Sequence, residues 1–304
     1  MKYKDWLPRW IEQQAIMMKP STRKRYSSVI RNQILPKLGE IELSRLTDKI
    51  LMQFVTELSA SCAAATLKGV IGVINRSLSS AKMHGYIVRC KEVRPPKKQK
   101  TVHKIKTLTQ HNQKRLEEYV AEHRQTKLFG IILSLYTGLR IGELLALEWS
   151  DIDFDSCTLT VSKNCSDSYV DGSYEKYIDT PKTLSSQREI PLPRQLMPRL
   201  RQLKKQSVSK YVVEGKNGKP MSVRSYQCTF NIVTKRLNLQ GITFHCLRHT
   251  FVTRALECGV DIKTISEILG HSDPSITLKY YSHCLPEHKM AMMNRIGKFL
   301  QTGK

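Results

Sequence analysis

The chain has 304 residues, enough for two domains with cores of their own, and its 40% hydrophobic, 25% charged composition excludes disorder as the default. Its 50 Lys and Arg outnumber 26 Asp and Glu, and the net charge of +24 points through counterion release to a polyanionic partner, nucleic acid first. Membrane insertion, secretion and a zinc-centred fold are set aside: no apolar run approaches ~20 residues, no signal peptide follows Met1, and the 8 cysteines show neither CxxC spacing nor clustering with histidines. Reduced thiols in a cytoplasmic protein are expected.

The charge is uneven, since residues 1–106 carry 22 basic and 7 acidic side chains and residues 107–304 carry 28 and 19. Within that basic first third, an amphipathic helix is predicted from Asp5 to Met18, with Trp6, Trp10, Ile11 and Ile16 sharing a face. Ser21 is read as the cap of a basic helix from Thr22 to Gln33, which includes Arg23 and Lys24 and which Pro36 and Gly39 end in a turn. Thr47 starts a third helix containing Ile50, Leu51, Phe54, Val55 and Leu58. A fourth runs from Ala63 to His84, before Gly85. Residues 1–90 therefore read as a four-helix bundle.

Residues 91–106, KEVRPPKKQKTVHKIK, join two prolines to seven basic side chains and one acid, which suits an extended linker. Lys97, Lys98 and Lys100 are candidates to cross DNA phosphates there, alongside Arg23 and Lys24 in the bundle. From 107 to 304 helical patterns return, interrupted between Asp153 and Pro191 by β-branched and aromatic residues with turn signals at Asp171-Gly172 and Pro181. The expected fold is mainly α with a small antiparallel β-sheet in the second domain.

Four segments of that second domain carry the chemistry: TGLRIGELLALEW (137–149), PKTLSSQREIPL (181–192), FHCLRHTFVTR (244–254) and LGHSDPSITLKYYSH (269–283). Breaking a DNA phosphodiester without a metal needs a nucleophile on phosphorus, cationic donors around the non-bridging oxygens, and a proton for the departing sugar hydroxyl. Arginine suits the second task because its planar fork donates two parallel hydrogen bonds and stays charged, which selects Arg140 and Arg248. Arg140 is placed at the start of a helix whose Leu144, Leu145 and Leu147 face the core. His245 and Arg248, three apart on a helix, share a face, and His249 lies near it. His271 follows Leu269-Gly270 at a helix end. Two tyrosines follow, Tyr280 and Tyr281, and spacing from His271 does not choose between them.

Together the four segments resemble the tyrosine recombinases, or phage integrase family, through Arg140, Lys182, His245, Arg248, His271 and Tyr281 in order. The resemblance selects Tyr281 as nucleophile, because Tyr281-Ser282-His283 matches the family's Tyr-Ser/Thr-His while Tyr280 does not. It implies that Lys182, in a β-hairpin, protonates the 5′-hydroxyl leaving group, with Lys176 and Lys163 the nearest competitors. Cys246 departs from the Asp common between the paired His and Leu-Arg. The resemblance further implies a core-binding bundle, a mixed α/β catalytic domain and a 3′-phosphotyrosine intermediate with neither metal nor nucleotide cofactor. The partners it implies are double-stranded DNA attachment sites, a homo-tetramer on two sites and an accessory directionality factor, as for the integrase of a bacterial mobile element. No arm-binding domain is expected ahead of the first helix. The stretch from Pro286 to Leu300, with Met290, Met293, Ile296, Phe299 and Leu300 at helical spacing, serves either its own domain or a neighbouring subunit. The rivals are a type IB topoisomerase and a catalytically silent DNA-binding protein of the same fold.

Overall fold

The computed structural model describes residues 1–95, 106–123, 125–170, 173–179, 187–215, 218–271 and 273, together with 293, 294, 296, 297, 300 and 301. It divides into two compact units, Met1–Val102 and His103–Lys304. Among the described residues no helix is long and apolar enough to cross a membrane.

The first unit is helical. Helix α1 (Tyr3–Gln14) buries Tyr3, Trp6, Leu7, Trp10 and Ile11. It sits on α5 (Ala64–Met83), where the Tyr3 hydroxyl lies 2.6 Å from Ser77 Oγ and the Trp6 indole donates to the Ser77 carbonyl at 2.9 Å. The helix is shorter than its sequence pattern suggests. Ile16 falls in the turn beyond it, 95% exposed instead of sharing the tryptophan face.

Helix α2 (Pro20–Val29) begins one residue before the expected cap, with Pro20 in its first turn and Lys19 at the N-cap. Proline's fixed φ and missing N–H suit that position, which displaces Ser21 into the helix. The same chain does not stop at Pro36. It widens into a π turn over Ile30–Ile34, in which the Leu35 N–H donates to the Ile30 carbonyl, and continues as α3 (Leu35–Leu38). The wide turn gives the Pro36 ring room and absorbs the donor it lacks. Thr47 caps α4 (Asp48–Ser61) as read, its hydroxyl accepting from the Ile50 N–H. Past Gly85, which takes φ +81°, Cys90 and Val93 pack into this core, and the Asn75 amide holds both the Val93 N–H (3.0 Å) and its carbonyl (2.8 Å). Arg23 is exposed on α2 and Lys24 half-buried, while Lys97, Lys98 and Lys100 lie outside the described residues.

The second unit opens with α6 (Gln110–His123) and the apolar α7 (Thr126–Thr137). Gly138 ends α7 in the left-handed region, φ +67°, and the chain turns into α8 (Ile141–Ala146). Strands β1 (Ile152–Asp153), β2 (Thr158–Val161) and β5 (Arg188–Pro191) form one antiparallel sheet in the order β1-β2-β5, with Leu159 opposite Ile190 against the core. Strands β3 (Asn164–Val170) and β4 (Ser173–Asp179) form a separate hairpin, so two small antiparallel arrangements stand where one sheet is expected. The turn residues Asp171, Gly172 and Pro181 lie outside the described residues. Asp167 ties the hairpin to α10 (Val223–Arg236), accepting from the Val223 and Arg224 N–H groups at 3.0 and 2.9 Å. Gly142 lets α8 approach β3, because a Cβ there would meet Asn164 Oδ1 at 2.4 Å and the Cys165 carbonyl at 2.5 Å.

Helices α9 (Met197–Gln206), α10, α11 (His245–Glu257) and α12 (Ile262–Leu269) complete the unit. Among the described C-terminal positions Met293, Ile296 and Leu300 are helical and exposed, at 63%, 44% and 76%. Met290 and Phe299 lie outside them.

Candidate functional site

Three helix ends meet in the second unit: the C-terminus of α7, the N-terminus of α8 and the C-terminus of α12. Arg140 is the N-cap of α8. Its main-chain N–H donates to Glu143 Oε2 at 2.9 Å and its guanidinium to Glu143 Oε1 at 2.7 Å, so the carboxylate at the third helical position fixes both backbone and side chain. The guanidinium also reaches the Leu269 carbonyl at 3.4 Å, and 37% of the side chain stays open to solvent.

Arg248 projects from the first turn of α11 and is only 4% exposed. It donates to the Gly138 carbonyl at 2.8 Å and, through its other terminal nitrogen, to the Leu269 carbonyl at 2.8 Å; that same nitrogen lies 2.8 Å from His271 Nε2. A guanidinium cannot accept a hydrogen bond, so His271 Nε2 is the acceptor and the ring proton sits on Nδ1. Gly138 serves this arrangement directly. Its positive φ turns the α7 C-terminus so that its carbonyl meets Arg248.

The histidines are held neutral. Burial, then the charges of Arg248, Arg140 and Arg188, lower His271 to about 4 against a small opposing pull from Glu143. Burial, then Arg248 and Arg140, also lowers His245. His249, one turn on, packs its ring edge-to-face on His245 with centroids 4.6 Å apart, and burial followed by His245 and Arg248 brings it to about 4.

The geometry thus brings together Arg140, Arg248 and His271, with His245 on the same helix as Arg248. Lys182 and Tyr281, and Tyr280 with them, lie outside the described residues. Lys163, one competitor for the lysine role, is engaged by Glu148 at 3.0 Å and Asp151 at 3.4 Å. Nothing is described for the side chain of Lys176.

Two residues to which sequence reasoning gave no role stand at the centre. Glu143 is 6% exposed, and burial alone would raise its pKa; hydrogen bonds from Arg188 and the charges of Arg188 and Arg140 outweigh this and bring it to about 2. Arg188, on β5, has a side chain 6% exposed and donates to Glu143 at 3.2 and 2.9 Å and to the Ile268 carbonyl at 2.5 Å. The pattern that could have exposed this pair is acidic at i+3 from Arg140 and basic at the head of a strand, but either is common on a solvated surface.

Comparison with known proteins gives concordant results. Residues 82–288 match the phage integrase family, and residues 2–59 match the phage integrase N-terminal SAM-like domain. A tyrosine recombinase XerC-like protein of Caldanaerobacter subterraneus is 29% identical over 94% of this chain and 80% of its own length. The transposase from transposon Tn916 of Enterococcus faecalis is 28% identical over 55% of this chain, and the alignment spans 45% of that protein. In fold, the integrase of transposon Tn1549 bound to transposon right end DNA superposes with a TM-score of 0.80 at 22% identity, over 98% of this chain and 100% of that one. A lambda integrase dimer bound to a core site gives 0.69 at 21% identity, over 91% and 97%.

Proposed function

Because the chain belongs to the phage integrase family, and is thereby a tyrosine-type site-specific recombinase acting on DNA, we propose that it exchanges strands through a 3′-phosphotyrosine on Tyr281. The scissile phosphate sits between Arg140 and Arg248, whose guanidiniums take the non-bridging oxygens. His271 donates from Nδ1, and His245 adds a further polar contact from the helix that bears Arg248. The Tyr281 hydroxyl passes its proton to the neutral His245 imidazole as its oxygen attacks phosphorus, the bond to the 5′-oxygen breaks, and Lys182 protonates that leaving group. The phosphotyrosine ester retains the bond energy, so a 5′-hydroxyl from a second duplex reverses the step without ATP.

The observation that carries this reading is the placement of Arg248: buried, held by two carbonyls, and in contact with His271 at 2.8 Å. Burying a guanidinium is costly unless its donors are used, so a fixed cation here is organised for an anion above it. The bundle formed by the first unit supplies the rest of the DNA grip, with Arg23, Lys24 and the linker lysines Lys97, Lys98 and Lys100 on phosphates. Residues 1–90 and 107–304 act as core-binding and catalytic domains joined by that linker. The working assembly is a homo-tetramer on two attachment sites, and the exposed Met293, Ile296 and Leu300 are a stripe that a neighbouring subunit can cover. The chain serves a mobile element in the bacterial cytoplasm, with an accessory directionality factor.

The test is covalent trapping on nicked duplexes from the ends of the encoding element, in EDTA, with wild type, Tyr281→Phe and Tyr280→Phe compared on denaturing gels. An adduct lost only in Tyr281→Phe supports the reading. An adduct lost only in Tyr280→Phe reassigns the nucleophile, and tight binding without any adduct leaves a silent DNA-binding protein.

A further inference from the structure

Arg188 is a buried side chain of this site that no step above uses. Its three nitrogens reach two elements at once: Nη1 and Nη2 donate to Glu143 on α8 at 3.2 and 2.9 Å, and Nε donates to the Ile268 carbonyl at the end of α12 at 2.5 Å. Its charge is met by the Glu143 carboxylate, so it is not the group that takes a phosphate. Yet both elements it holds carry proposed phosphate ligands. Glu143 grips the backbone and guanidinium of Arg140, and α12 ends one residue before Gly270 and two before His271. Arg188 also opens β5, six residues after Lys182.

We propose that Arg188 is a positioning residue for DNA cleavage: it takes up the negative charge of Glu143, leaving Arg140 free to engage phosphate, while pinning the helix end that presents His271. Glu143 has two cationic partners and one charge to share. With Arg188 in place, Arg140 is steered by the carboxylate but not neutralised by it. With Arg188 removed, Arg140 is the remaining cation at a buried carboxylate, and the ion pair competes directly with the scissile phosphate. Lysine cannot replace it, since a single ammonium cannot span a carboxylate bidentately and a carbonyl on a second helix. The inference rests on the reading of Arg140 as a phosphate ligand.

The experiment measures DNA affinity and, at saturating protein, the rate of covalent adduct formation. The proteins compared are wild type, Arg188→Met, Arg188→Lys, the double variant Glu143→Gln with Arg188→Met, and Arg140→Gln, all well below the melting temperature of the least stable. Arg188→Met is expected to bind DNA within about 3-fold of wild type but to cleave on the order of 100-fold more slowly, the scale of a misplaced catalytic group. The double variant, which removes the competing charge, is expected to recover at least about 10-fold of that loss, a rescue that loss of packing alone does not produce. Arg188→Lys is expected to cleave more slowly than wild type. Wild-type cleavage by Arg188→Met, or a double variant no faster than the single, overturns the proposal. If Arg188→Met does not fold, the Lys variant decides: cleavage at the wild-type rate overturns the requirement for the guanidinium fork. Wild-type cleavage by Arg140→Gln instead brings down the underlying reading of the phosphate site.

Discussion

Acid should loosen the catalytic unit through one carboxyl, and the Glu143→Gln variant isolates it. In the folded chain Glu143 titrates at about 2, against 4.5 for an ordinary glutamate. The gap of about 2.5, at 1.36 kcal/mol for each tenfold difference in proton affinity, corresponds to about 3 kcal/mol of stability. The folded pKa lies below the unfolded one, so this contribution is complete above pH 4.5 and is lost as pH falls toward 2. At pH 3 about 2 kcal/mol of it should be gone. Glutamine keeps an acceptor for the Arg140 N–H but has no proton to gain, so wild type should exceed the variant by about 3 kcal/mol at pH 6 and by only about 1 kcal/mol at pH 3. Hydrogen exchange of peptides from Thr126 to Ala146, corrected for intrinsic rates, reads the local opening free energy in α7 and α8 apart from the first unit. Other carboxyls titrate in both proteins and cancel in the difference. A gap that stays constant from pH 6 to 3 would refute the assignment of the buried charge to Glu143.

Gly138→Ala places a Cβ 2.7 Å from Leu269 Cδ2 and 2.9 Å from Phe251 Cδ1 at φ +67°, and should cost about 2–4 kcal/mol. Thermal unfolding should show the loss and adduct formation should slow with it, because the Gly138 carbonyl holds Arg248; an unchanged melt contradicts the close packing. His271 should stay neutral when DNA binds at pH 5.5, since it titrates near 4 and its Nε2 is taken by the Arg248 donor. Calorimetry in buffers of different ionisation enthalpy measures proton uptake on binding, and an uptake at pH 5.5 that disappears in His271→Gln would contradict this arrangement. Lys182→Ala should slow cleavage on the order of 100-fold or more and regain most of it on a substrate with sulfur at the 5′-bridging position, whose thiolate leaves without a proton. Lys163→Ala, whose amine is engaged by Glu148 and Asp151, should stay within about 3-fold. The reverse pattern would exchange their roles.

Helix identity was legible where a cap or a glycine marks the boundary, as at Thr47 and Gly85. It failed where local signals compete. Ser21 has the chemistry of a cap, but Pro20 ahead of it fits the first turn better. Pro36 reads as a stop, yet a widened turn accommodates it. The site shows the same division. Arg140, His245, Arg248 and His271 stand out because their order and neighbours are specific. Glu143 and Arg188 do not, because what distinguishes them is burial, and burial depends on which strand lands beside α8 and α12. No local pattern encodes that meeting.

The partners that hold Arg248 have an electrical consequence. Two main-chain carbonyls and an uncharged imidazole orient the guanidinium, and none of the three carries a net charge of its own. A carboxylate in their place would fix it equally well and then contend with DNA for the same hydrogen bonds. The negative ends of two helix dipoles, those of α7 and α12, ordinarily repellent to phosphate, are thereby turned inward onto the guanidinium as scaffolding.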